Sequence, residues 1–272
     1  MIKRFLTVLT LLGASILPAA PALARNDLGN LVRIEVLDGG MTERGTYLTA
    51  LRLHLSDGWK TYWRAPGDAG IPPQFDWRRS SNLGKVHIIW PAPLVFDQGG
   101  LQSIGYRNQL VLPVEITPTE PGRPVRLRGK VEIGICKDVC IPGTLSVDHR
   151  LDAKAERNPV IAAALAQRPY DRAEAGVTSA ICRLTPIKGG MRLEARIDMP
   201  AAGGHEVAVI EPGNARIWAS PAQTRRQGGV LIAASDLVHV DGQGSYALDR
   251  AAVRITVLGR DHAVDIQGCT PG

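Results

Sequence analysis

The sequence predicts an all-β protein built as two β-sandwiches joined by a linker with a short helix. Three observations carry this. Apolar and polar residues alternate with period two in one segment after another. Gly, Pro, Asn and Asp punctuate those segments at short spacing. One apolar run, bracketed by Pro159 and Pro169, breaks the pattern and has the length of a short helix.

Residues 1–24 stand apart from the fold. Lys3 and Arg4 precede an apolar run from Phe5 to Leu17, and Ala22-Leu23-Ala24 has the small residues of a signal peptidase site, so a secretory signal peptide is expected here. The run is shorter than the roughly 18 residues of a spanning helix. No later stretch is apolar enough to cross a bilayer, and no membrane insertion is expected of the mature protein. Losing Lys3 and Arg4 takes the formal charge from +6 to +4. The pairs Arg78-Arg79 and Arg225-Arg226 are isolated among interspersed acids, which argues against a nucleic-acid partner.

The first domain is expected over 25–152. Its strands are read at 31–37, at Leu51, Leu53 and Leu55 (alternating with Arg52 and His54), at 85–90, 109–116, Val125 to Arg128, 130–135 and 144–151. The linker, 153–176, carries the run Val160 to Ala166. Pro159 suits a first helical position and Pro169 cannot continue the helix. The second domain is expected over 177–272. Met191, Leu193, Ala195 and Ile197 alternate there with Arg192, Glu194, Arg196 and Asp198, and further strands fall at 205–210, 229–234, 253–258 and 262–267.

Four cysteines follow the leader, in what should be an oxidising compartment. On one straight strand Cys136 and Cys140 would lie roughly 13 Å apart, well beyond the roughly 7 Å a disulfide tolerates. If Lys137-Asp138-Val139 forms a hairpin loop, the two stand opposite each other and pair easily. Closing so short a loop removes little chain entropy, so stability is a poor reason for such a bond. Three roles stay open: thiol–disulfide exchange, a structural clip, or metal binding. Exchange needs a thiolate, which Lys137 favours and Asp138 opposes. Zinc prefers four closely spaced ligands, whereas His54, His87, His149, His205, His239 and His262 are scattered; copper(I) would accept two thiolates after reduction. Cys182 and Cys269 bracket the second domain, 87 positions apart. Closing that loop is worth about 4–5 kcal/mol in a chain-entropy treatment, and a structural disulfide is expected. No P-loop, GxSxG elbow or HExxH helix is present, and no cofactor is expected.

The stretches DGWKTYWRAPGDAGIPPQFDW (57–77), WPAPLVFDQGGLQSIGYRNQLVLPVEI (90–116) and VEIGICKDVCIPGTLSV (131–147) together resemble the N-terminal periplasmic domain of the DsbD and ScsB disulfide reductases, over most of residues 30–152. The resemblance implies an immunoglobulin-like sandwich for each half, since ScsB-type members carry two. It implies that Cys136 and Cys140 carry electrons from a membrane-embedded thiol reductase to oxidised periplasmic proteins. It further implies a cap loop at Phe96-Asp97-Gln98-Gly99-Gly100, with Phe96 shielding the cysteines, and aromatic strand residues near the site at Trp59, Tyr62 and Trp63. Ordinary core packing is the competing reading for each aromatic. Two departures matter. The DsbD domain commonly has five residues between its cysteines where this chain has three, as ScsB-like proteins do. The chain also carries no membrane or thioredoxin-like domain, so its reductant is expected to be another polypeptide. The rival reading is a non-catalytic secreted binding module that docks a protein or holds copper.

Overall fold

The computed structural model describes residues 28–68, 70–98, 100–242 and 247–272. The expected signal peptide, 1–24, lies outside the described residues. The first half forms β1 (Val32–Met41), β2 (Tyr47–Leu55), β3 (Lys60–Gly67), β4 (Gln74–Asp76), β5 (Leu83–Ile88), β6 (Leu94–Gln98), β7 (Leu101–Arg107), β8 (Gln109–Pro118), β9 (Arg126–Cys136) and β10 (Cys140–Arg150). One sheet has the order β1-β2-β8-β5; the other runs β10-β9-β3-β7-β6, with β4 added on β9. Alternation decides which side chains fill the space between them. Leu51, Leu53, Leu112 and Ile116 enter from the first sheet, and Trp63, Ile104, Leu127, Val131, Ile133 and Ile135 from the second. Each buried Leu or Ile contributes about 1.5–3 kcal/mol.

The helix α1 (Pro159–Ala166) begins as its sequence requires. Asn158 caps it, its Oδ1 accepting from Val160 N at 3.0 Å, and Pro159 occupies the first turn. It is no free spacer: Ile161 and Ala164 pack on Ala50 and Val111, covering the outer face of the first sheet. The chain then docks Tyr170 beside the second half, Tyr170 N donating to Ala263 O and Tyr170 O accepting from Asp265 N, each at 2.8 Å.

The second half forms β11 (Ser179–Ile187), β12 (Gly190–Asp198), β13 (Val207–Glu211), β14 (Ile217–Ala219), β15 (Gln223–Gln227), β16 (Val230–His239), β17 (Arg254–Leu258), β18 (Ala263–Gln267) and β19 (Thr270–Pro271). The sheets are β14-β16-β12-β11-β19, with β15 also paired to β16, and β13-β17-β18. Leu193, Ala195 and Ile197, the period-two set read from sequence, are fully buried against a core that includes Ile255, Val257, Val264 and Ile266. The all-β, immunoglobulin-like expectation holds for the chain.

The halves are fastened to each other. Val207, Leu258 and Ala263 belong to the same buried cluster as the core of the first sandwich. Arg64 on β3 donates from Nε and Nη2 to both oxygens of Glu211 on β13, at 3.0 and 2.9 Å, and from Nη2 to Thr256 Oγ1 at 3.2 Å.

Candidate redox site

β9 and β10 pair in unbroken register from Arg126↔Arg150 to Cys136↔Cys140. The hairpin loop expected at Lys137-Asp138-Val139 is present, with Lys137 N donating to Val139 O at 3.2 Å. Cys136 and Cys140, their Cα atoms 4.1 Å apart, are joined by a disulfide. The two cysteines are unequal: Cys136 is 4% exposed, whereas Cys140 belongs to an exposed run that starts at Lys137.

Alternation along β9 sends Val131, Ile133 and Ile135 into the core and turns Gly134 and Cys136 to the outer face. On β3 it does the same, sending Trp63 inward and Tyr62 outward. Tyr62 is 2% exposed, and its hydroxyl donates to Cys140 Sγ at 3.2 Å. Burial pushes the Tyr62 pKa up, so the hydroxyl keeps its proton and remains a donor. Gly134 makes room for the ring. A Cβ there would lie 2.7 Å from Ile71 Cβ and 3.1 Å from Tyr62 Cδ2.

Trp63 is not at the site. It is fully buried in the core of the sandwich, on the opposite face from Tyr62, because adjacent strand residues point to opposite sides. Trp59 likewise packs against that core. Phe96 and Asp97 line one open cleft of about 360 Å³ with Cys136, Lys60, Arg107 and Lys137. They are strand residues rather than parts of a loop. β6 and β7 form a hairpin at the sheet edge, with Gln98 paired to Leu101. Gly100, at φ +84°, has its N–H donating to Asp97 Oδ1 at 3.2 Å, so Asp97 helps close the turn. Asp138 is exposed in the cysteine turn. Lys137 Nζ donates to Asp57 O at 3.4 Å, its stem lying over Gly58.

Sequence reasoning missed three polar residues of this face. Lys60 is 5% exposed and stands opposite Cys136 on one side and Arg107 on the other. Its ammonium donates to Ser103 Oγ at 2.9 Å and sits 4.9 Å from the Phe96 ring centroid, while Arg107 Cζ is 5.2 Å from the same ring. Burial pushes the Lys60 pKa down, and the facing Arg107 charge adds to this. Lys60 and Arg107 lie in the quoted stretches, but only the cross-strand register brings them to the cysteines.

Cys182 and Cys269 form the second disulfide, with Cα atoms 5.7 Å apart. It ties the chain end to β11, where Gly272 N also donates to Cys182 O at 3.3 Å. Among the described residues no group of three or more His, Cys, Asp and Glu is arranged to hold a metal, and no helix is long and apolar enough to cross a membrane.

Sheet order and core define an immunoglobulin-like domain that carries a disulfide at the end of its β9–β10 hairpin. Residues 41–150, within the first sandwich, match the family described as thiol:disulfide interchange protein DsbD, N-terminal. The crystal structure of the N-terminal periplasmic domain of ScsB from Proteus mirabilis is similar over 89% of this chain and 95% of that one, with a TM-score of 0.69 and 19% identity. The reduced N-terminal domain of DsbD from Neisseria meningitidis matches 46% of this chain and 89% of its own, with a TM-score of 0.28 and 17% identity. None of the curated proteins matches the chain.

Proposed function

We propose that this chain is a periplasmic thiol–disulfide exchange protein that passes electrons through Cys136 and Cys140, from a membrane-embedded thiol reductase to oxidised periplasmic proteins. The observation that carries the reading is the asymmetry of the pair: an exposed Cys140, its sulfur accepting from the hydroxyl of the buried Tyr62, bonded to a buried Cys136. Exchange proceeds by thiolate attack on one accessible sulfur, and Cys140, the more exposed residue of the pair, is the one that offers it. Leu94, Leu101 and Val139 stand 55%, 53% and 63% exposed on the β6–β7 hairpin and the cysteine turn, offering apolar contact to a docking protein.

A donor thiolate attacks Cys140 Sγ. The donor–Cys140 bond forms, the Cys136–Cys140 bond breaks, and the electron pair stays on Cys136. The donor's second thiolate then attacks its own sulfur in the mixed disulfide and releases Cys140. The donor dithiol becomes a disulfide, and two electrons and two protons reside on this chain. Delivery to an acceptor disulfide is the reverse sequence, with Cys140 attacking and Cys136 resolving. The Cys182–Cys269 disulfide takes no part and serves the second sandwich.

The test is a glutathione redox titration of the mature protein, followed by alkylation and location of the labelled cysteines by mass spectrometry. Cys136 and Cys140 are expected to reduce together at a mild potential while Cys182 and Cys269 stay bonded. Cys136→Ser is expected to accumulate mixed disulfides on Cys140. Resistance of all four cysteines until the protein unfolds, at potentials well below about −300 mV, would make the hairpin a clip and the chain a binding module.

A further inference from the structure

With Cys136 and Cys140 taken as the exchange pair proposed above, every turnover places a negative charge on Cys136. Cys136 as a residue is 4% exposed, and water alone solvates a thiolate poorly at so buried a position. We propose that Lys60 is the residue that receives this charge, its ammonium stabilising the Cys136 thiolate in the mixed-disulfide and dithiol states, with Arg107 reinforcing it.

The placement follows from register. Lys60 faces Cys136 directly across β3 and β9, and residues so paired carry their Cβ atoms within about 4.5–5.5 Å on the same face of the sheet. Arg107 faces Lys60 across β3 and β7, and all three line one cleft. In the oxidised protein the ammonium is held on the β7 side of the cleft, where Ser103 Oγ accepts from it and the Phe96 ring lies 4.9 Å away, and the flexible lysine stem lets it turn to Cys136 once that sulfur carries charge. The charged and titratable groups that line the cleft with it are Cys136 on β9, Arg107 on β7, Asp97 on β6 and Lys137 in the cysteine turn, and Tyr62, on the same face of β3, stays protonated on Cys140 Sγ. Lys137, the cation the sequence suggested, is exposed and turned to the Asp57 carbonyl. Burial and Arg107 both press on the Lys60 charge; an anion at Cys136 relieves that pressure. The same cation serves both directions of exchange, stabilising Cys136 as leaving group when the pair is reduced and as the ready resolving thiolate when it is oxidised.

The experiment is done on the full mature chain carrying Cys140→Ser, in which Cys136 is a lone thiol whether or not exchange occurs. Alkylation of Cys136 by iodoacetamide is followed against pH and located by mass spectrometry. Using the midpoint of the profile separates thiol ionisation from access. Lys60→Met is expected to raise that midpoint by about one pH unit, roughly a tenfold loss of thiolate below the midpoint, and Lys60→Arg to restore it. With both cysteines present, Lys60→Met is expected to lower the equilibrium constant for reduction by glutathione, by up to tenfold. A folded Lys60→Met protein with an unmoved midpoint overturns the proposal and leaves the exchange reading intact. If Lys60→Met does not fold, Arg107→Gln, at an exposed position, is expected to raise the midpoint by a smaller amount, and no rise there overturns the proposal too. A wild-type pair inert to glutathione, with the midpoint shift present, would instead fault the exchange reading alone.

Discussion

Tyr62 and Trp63 are consecutive in the chain and end on opposite faces of one sheet, one against a sulfur and the other in the core. The Tyr62 hydroxyl binds a thiolate more strongly than a neutral disulfide sulfur, because charge-assisted hydrogen bonds are about twice as strong. Tyr62→Phe should therefore move the dithiol–disulfide equilibrium toward the disulfide by about three- to tenfold, up to about 30 mV, with little change in melting temperature. A glutathione titration of the variant checks this, and an unchanged potential would reduce the hydroxyl to a packing group. At this scale the cysteine pair and its turn were legible, because four-residue spacing constrains local geometry. Lys60, Ser103 and Arg107 were not, because they meet Cys136 through pairings that join positions dozens of residues apart.

Among the elements, the strands legible in advance were those with one wet face. β12 is the clearest case, with Leu193, Ala195 and Ile197 buried between charged neighbours. β3 was legible through the resemblance but not through periodicity, because Lys60, Thr61, Tyr62 and Trp63 are all buried, leaving no polar alternation to read. β6 and β7 were hidden because the stretch from Phe96 was expected to be a cap loop, whereas Phe96, Asp97 and Gln98 pair with β7 as an edge hairpin. The two disulfides should also differ as elements. Cys182→Ala with Cys269→Ala opens a loop of 87 residues and should cost about 4–5 kcal/mol. Cys136→Ser with Cys140→Ser should cost less than half as much, the β9–β10 ladder holding the same ends together. Urea unfolding of both double variants checks the contrast, and equal losses would contradict it.

For the whole molecule, the pairing of Arg64 with Glu211 joins the sandwiches two residues beyond Tyr62 on the same strand. Arg64 and Glu211 side chains are 14% and 24% exposed, so the pair is desolvated enough to matter. Arg64→Ala and Glu211→Gln should each destabilise the protein by about 1.5–3 kcal/mol. The double variant should fall short of their sum by about 1 kcal/mol or more, since the two side chains share one interaction. Strict additivity in a denaturant cycle would mean that the ion pair holds nothing. Two β-sandwiches could be anticipated from strand spacing alone; that they share buried apolar contact could not, because Val207, Leu258 and Ala263 look like ordinary core residues of their own half.

The β9–β10 ladder has a consequence for speed. Its eleven paired positions end at the cysteines themselves, so cutting the sulfur–sulfur bond frees no length of chain, and restoring it requires no search. The ladder itself holds the two cysteines opposite each other, whether or not the bond between them is made. In the exchange role proposed above, such a hairpin would have little backbone to rearrange between partners, so that partner arrival and departure would set the turnover.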